Sequence, residues 1–268
     1  MIEIRGLTKK YGEFPALDDL DLEVGEGEIV AFLGPNGAGK TTTIRLLMGI
    51  LVPTSGTATV CGLDCFADRA EVKRHVGYLP ENPIFYDYMR GRELLEFLGE
   101  MHGQERPEAR RRAMQLIEEF DLAEASEEYA VNYSTGMKKK LALAAAMMHD
   151  PKVLILDEPT NGLDPRAARD MDDRLREEVA RGKTIFLSTH LLDRAEKLSS
   201  RIAIIHQGRL VVVGTAVDLK EKLVAGGTPE EVFLHVTGAP AQPIAPAQPS
   251  TQAGGAAEPI GTTGPGAP

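Results

Sequence analysis

The stretch Ile29-Val30-Ala31-Phe32-Leu33-Gly34-Pro35-Asn36-Gly37-Ala38-Gly39-Lys40-Thr41-Thr42 decides how this chain folds. Its first five residues are a continuous apolar run, the pattern of a central strand covered on both faces. Gly34 through Thr41 then satisfy G-x-x-x-x-G-K-[ST], between that predicted strand and a helix predicted to begin near Gly39. Glycines serve here because the backbone must fold closely around phosphate oxygens and turn successive N–H groups inward, where a side chain would collide. The helix adds its positive N-terminal end. Lys40 extends a point charge towards β and γ phosphates, and the Thr41 hydroxyl is an expected Mg²⁺ ligand. Gly34, Pro35, Asn36, Gly37, Ala38, Gly39, Lys40, Thr41 and Thr42 are thus the expected nucleotide cradle.

Working outward, Leu20, Leu22 and Val24 alternate with Asp21 and Glu23, the period of a half-buried strand, and Thr57–Val60 is a further β-like piece. From about 82 to 150 the period becomes helical. Leu94, Leu98 and Met101 share one face there, as do Ala113, Leu116, Ile117 and Phe120. Two apolar runs, Val153–Leu156 and Thr184–Leu187, then bracket a polar helical pattern over Arg166–Arg181, a strand-helix-strand crossover that implies a parallel sheet. The fold class is α/β, with an N-terminal antiparallel β piece and an inserted helical subdomain. The run Val153–Leu156 ends in Asp157-Glu158. Strand C-termini of such sheets face the ligand crevice, so Asp157 is placed to hold the Mg²⁺ shell and Glu158 to polarise the attacking water.

The whole sequence has 268 residues, 40 acidic and 30 basic, for a formal charge of −10, which argues against an extended nucleic-acid surface. No apolar run approaches the roughly 20 residues of a bilayer-spanning helix. Cys61 and Cys65 match no complete zinc site and are expected as free thiols in a reducing compartment. The N-terminus lacks a secretory pattern, so the cytoplasm is the expected location. Residues 238–268 are rich in Ala, Pro and Gly, with Glu258 their only charge; they are expected to be a disordered tail behind a body of residues 1–237. The run Lys138-Lys139-Lys140 is expected as a solvated face.

Further motifs carry a resemblance. Tyr133-Ser134-Thr135-Gly136-Met137 precedes a helical run with Leu141, Ala144 and Met148 on its apolar face, and Ser134 is a plausible N-cap. This resembles the signature sequence of the ATP-binding cassette family. Asn161-Gly162-Leu163-Asp164-Pro165 resembles that family's D-loop, Leu187-Ser188-Thr189-His190 its switch strand, and Lys10-Tyr11-Gly12 the segment whose ring stacks on adenine. The order of the elements matches over nearly the whole body. The signature, the single cassette and the segment Pro229–Leu234 resemble cassettes of ABC-2-type exporters.

The resemblance implies a P-loop ATP hydrolase acting as a head-to-tail dimer, homomeric or heteromeric, in which the phosphate loop of one copy faces Ser134 and Gly136 of the other. It implies His190 at the γ phosphate, Asp164 at the seam, and a cassette peripheral on the inner face of the cell membrane beside a separately encoded transmembrane permease. That permease would be gripped beside Phe85, Tyr86 and Tyr88. A soluble ABC-type machine for cluster assembly or DNA repair is the alternative. Glu81 stands where the family generally has glutamine. It is either a third metal ligand with Thr41 and Asp157, or solvent-facing.

Overall fold

In the computed structural model, which describes residues 1–86 and 88–223, the chain opens with two long strands, β1 (Ile2–Tyr11) and β2 (Phe14–Val24). The central strand β3 (Ile29–Leu33), helix α1 (Lys40–Leu47), strands β4 (Ser55–Val60) and β5 (Leu63–Asp64), helix α2 (Arg69–His75) and strand β6 (Val76–Leu79) follow. Next come the helices α3 (Gly91–Met101), α4 (Arg106–Glu119) and α5 (Thr135–Ala146). The chain then alternates β7 (Val153–Asp157), α6 (Pro165–Ala180), β8 (Thr184–Thr189), α7 (Leu192–Leu198), β9 (Arg201–His206), β10 (Arg209–Gly214) and α8 (Ala216–Leu223). The expected tail at 238–268 and the segment 229–234 lie outside the described residues.

Two sheets result. One is antiparallel, in the order β2-β1-β4-β5. The other runs β10-β9-β3-β8-β7-β6, parallel except for its edge strand β10. Strand β3 lies inside the parallel sheet because all five of its residues are apolar and buried, leaving neither face for solvent. Its alternate residues serve opposite cores. Ile29, Ala31 and Leu33 join Leu154, Leu156, Ile185 and Leu187 against the helices, including Leu116 of α4 and Leu141 of α5. Val30 and Phe32 join Val153, Ile155 and Phe186 against α1 and the antiparallel sheet. The Phe32 and Phe186 rings lie 5.3 Å apart in that second core; full burial of each contributes about 2–3 kcal/mol.

The helical stretch differs from expectation at one point. Leu94 is buried and Leu98 partly buried, but Met101 is 68% exposed. It is the last residue of α3, where the chain turns at Gly103; Leu95 and Gly99 complete the buried face instead. Of the three aromatic residues expected at a docking surface, Phe85 packs against the helical core, whereas Tyr86 and Tyr88 are exposed.

Candidate active site: the cleft above the central strand

The C-terminal ends of β3, β7 and β8 meet at a cleft of about 670 Å³. From the first comes the glycine-rich loop. Gly39 has φ +111°, a conformation other residues rarely adopt, and this turns the loop into α1 so that Lys40 begins the helix. A Cβ on Gly34 would come within 2.5 Å of the Ile205 carbonyl oxygen, so the loop lies tight on its neighbour and leaves its concave side free. Pro35, Asn36, Gly37, Gly39, Lys40, Thr41 and Thr42 line the cleft, while Gly34 and Ala38 form the loop behind them.

Lys40 is nearly buried. Its Nζ donates to the carbonyls of Gly34 at 2.7 Å and Pro35 at 3.2 Å, and lies 3.4 Å from Glu158 Oε1. That oxygen is buried and has no hydrogen-bond partner among the described residues. The other carboxylate oxygen, Oε2, lies 3.0 Å from His190 Nδ1. Glu158 therefore stands between a fixed cation and an imidazole, with one acceptor unused, inside a glycine-lined cradle. These groups fit a triphosphate and its water: the cradle offers donors, and the unused carboxylate oxygen offers a base.

Backbone geometry sets this orientation. Glu158 has φ +46°, a left-handed conformation that costs a non-glycine residue about 1 kcal/mol or more. Its N–H donates to Ser188 Oγ at 3.0 Å, and the same hydroxyl donates to Asp157 Oδ1 at 2.6 Å. Asp157 and Ser188 are register partners in β7 and β8 and both are buried. Asp157 thus lies beneath the cleft, whereas Thr41 and Glu81 line it. Hydroxyl and carboxylate oxygens are the hard donors that suit Mg²⁺. The Glu81 Oε1 atom accepts a hydrogen bond from Asn161 Nδ2 at 3.0 Å, so Glu81 is tied to the loop after β7.

Tyr11, 49% exposed, lines the outer end of the cleft. Beside it stands Phe14, its register partner across the β1–β2 turn and also exposed. Phe14 was not expected from the sequence; the signal for it was the Gly12-Glu13 turn, which places two rings three residues apart on one hairpin face.

Ser134, Gly136 and Asp164 are absent from the lining. Ser134 caps α5, its Oγ accepting from Met137 N at 3.2 Å. Asp164 caps α6, accepting from Arg166 N and Ala167 N, and these two backbone donors hold its carboxyl below the usual carboxylate range. The two helix starts are neighbours, since a Cβ on Gly136 would meet Leu163 at 3.9 Å. The glycine-rich loop, Lys40, Glu158 and His190 thus meet in one cleft, and the capped starts of α5 and α6 lie elsewhere on the chain.

The triple-lysine run corrects its expectation. Lys139 is 3% exposed and donates from Nζ to the backbone carbonyls of Glu81 at 2.5 Å and Glu158 at 3.1 Å. Burial pushes its ammonium below the usual lysine value, against the upward pull of Glu81, Asp157 and Glu158. Those three carboxylates explain why a lysine turns inward there.

The sequence pattern of the ABC transporter family matches residues 17–161, from β2 to the loop beyond Glu158. The chain belongs to the ABC transporter family. It is the ATP-binding, ATP-hydrolysing subunit of an ABC transporter. This cassette is 40% identical over 237 residues to the daunorubicin resistance ATP-binding protein DrrA3 of Streptomyces coeruleorubidus, covering 88% of this chain and 74% of that protein. It is 41% identical over 222 residues to the daunorubicin/doxorubicin resistance ATP-binding protein DrrA of Streptomyces peucetius, covering 83% and 67%. A solved ATP-binding subunit of an ABC transporter superposes with a TM-score of 0.81 at 32% identity, covering 88% of this cassette and 99% of that chain. Among the described residues no helix is long and apolar enough to cross a membrane.

Proposed function

We propose that this cassette powers an ABC-2-type exporter, working on the inner face of the cell membrane beside a separately encoded permease. The exporter reading is supported by the drug-resistance relatives. The match to the ABC transporter family favours transport over cluster assembly or DNA repair. The described residues belong to one cassette, with the helical subdomain at about 82–150. Exposed Tyr86 and Tyr88, near the Glu81 loop, suit a contact with a cytoplasmic helix of the permease.

One observation carries the mechanism: Lys40, Thr41, Glu158 and His190 share a cleft from which Ser134, Gly136 and Asp164 are missing. Each copy holds half a site. Two cassettes pair head to tail, and the Ser134 end of α5 in one closes over the phosphate loop of the other. Tyr11 stacks on adenine, the backbone of residues 34–42 wraps the phosphates, and Lys40 moves from loop carbonyls to the β and γ oxygens. Thr41 and, through water, Asp157 would hold Mg²⁺, with Glu81 as a third oxygen donor, and the ion would supply charge neutralisation. Glu158 accepts the proton of the attacking water, the bond to the β-phosphate oxygen breaks, and ADP and phosphate form. His190 orients Glu158 and the water. Loss of the γ phosphate removes the link between the halves, so nucleotide state drives closure and opening.

The test is Glu158→Gln. The variant should bind ATP, lose about 10²–10⁴-fold in turnover, and accumulate as an ATP-bound dimer in size-exclusion chromatography. Turnover at the wild-type rate would remove Glu158 as the base, and a monomer at saturating ATP would overturn the shared site.

A further inference from the structure

Lys139 has no place in that mechanism, yet among the described residues it is one of the most enclosed cations, and it acts on the backbone behind the reacting groups. Its ammonium spans two segments remote in sequence: the loop after β6, through the Glu81 carbonyl, and the end of β7, through the Glu158 carbonyl. Asn161 repeats the link. Its N–H donates to the Glu158 carbonyl at 3.1 Å and its side-chain amide to Glu81 Oε1 at 3.0 Å. Glu158 meanwhile holds its left-handed conformation with its N–H on Ser188. Such a backbone persists only where its surroundings over-determine it, and the carbonyl side of that restraint is Lys139 with Asn161.

We infer that Lys139 is a positioning residue for hydrolysis, clamping the Glu158 backbone and tying it to the Glu81 loop, so that displacement of that loop carries the base with it. The inference rests on Glu158 being the base. A lysine suits the position because the buried carboxylates of Asp157 and Glu158, with the less buried Glu81 close by, all favour a positive charge there. Lys139 follows Ser134 by little more than one turn of α5, so the helix end proposed to grip a partner copy's phosphates and the clamp on this copy's base belong to one rigid element. Seating of the signature and alignment of the base are thereby coupled in a single protomer.

The experiment uses the full chain, with ATP affinity from equilibrium titration and kcat from phosphate release at saturating Mg–ATP. Lys139→Met, of similar length but without charge or donors, should leave the ATP Kd within about threefold and lower kcat about 30-fold or more, the scale of a misplaced reacting group. Lys139→Arg, which restores charge and donors, should recover most of that loss. If Lys139→Met does not fold, Lys139→Gln, which keeps N–H donors but falls short of both carbonyls, carries the same split. The inference is overturned if kcat stays within threefold of wild type in the variant measured. It is equally overturned if affinity and kcat fall together with no recovery in Lys139→Arg. Glu158→Gln measured alongside separates the two failures. Normal turnover there would discard the base itself, whereas an inactive Glu158→Gln beside a fully active Lys139→Met would discard only the clamp.

Discussion

Removing one hydroxyl, in Ser188→Ala, should damage both stability and turnover. Ser188 is fully buried; its Oγ receives the Glu158 N–H at 3.0 Å and donates to Asp157 Oδ1 at 2.6 Å. Alanine leaves a buried amide donor and a buried carboxylate oxygen short of a partner. Each such loss costs about 1–3 kcal/mol, and with partial relaxation the sum is about 2–4 kcal/mol. For a folded body of this size each kcal/mol moves Tm by about 2–4 °C, so the melting temperature should fall by about 4–16 °C. Turnover should fall about tenfold or more, because the strained turn at Glu158 loses its N–H anchor and the carboxylate shifts relative to the water. Scanning calorimetry and phosphate release on the full chain measure the two effects. Ser199→Ala is the control: it deletes a hydroxyl bonded to the Ala195 carbonyl, away from the cleft, and should leave kcat unchanged. A Ser188→Ala protein melting within 2 °C of wild type, or turning over within twofold of it, would refute the reasoning.

Lys40→Ala removes the cation from the phosphate loop and should weaken ATP binding about 10-fold to 100-fold, the weight of a charge-assisted contact; an unchanged titration would exclude Lys40 from the phosphate site. Tyr11→Ala should lower ATP affinity by about 1–2 kcal/mol while leaving inorganic triphosphate binding intact, and Phe14→Ala should do the same to a smaller degree. Equal losses for both ligands would mean that neither ring touches the base. Burial, reinforced by the stacked His102 ring, pushes His149 down to about 4 from the ordinary histidine value of about 6.5. The unfolded chain then binds the extra proton first, so stability is lost as pH falls from about 6.5 to about 4, by about 1.4 kcal/mol per unit. Urea unfolding at pH 7 and pH 5 should show a smaller loss of stability in His149→Gln than in wild type, since partial burial also lowers the His102 pKa and contributes in the same direction.

Much of this was legible in the sequence because it rests on local rules. Continuous apolar runs mark central strands wherever they occur, and a glycine-rich turn ending in Lys-Thr can be read without any partner. Asp157 and Glu158 were legible as the end of such a run. Lys139 was not, because three consecutive lysines carry no sign of which one faces inward; only the placement of α5 over the Glu81 and Glu158 carbonyls settles that. Ser188 read only as part of the segment that resembles the switch strand, and its role depends on the β7–β8 register, which is non-local. Met101 failed for the opposite reason: helical period places it on the apolar face, but the helix ends there and the turn carries it outward.

Strands β3, β7 and β8 each give alternate residues to two different cores. A chain that kept its cores on separate strands could open one and retain the other. Here the same backbone segments wall both, so loosening either face strips every one of these strands of half its cover. Exchange of their amides with solvent deuterium should therefore proceed only through global opening, at one common free energy, while α8 and the loop near Tyr88 exchange far sooner. The three strand ends that carry the phosphate loop, Glu158 and His190 stand on the last part of the molecule to open, which fixes the cleft while the surfaces around it move.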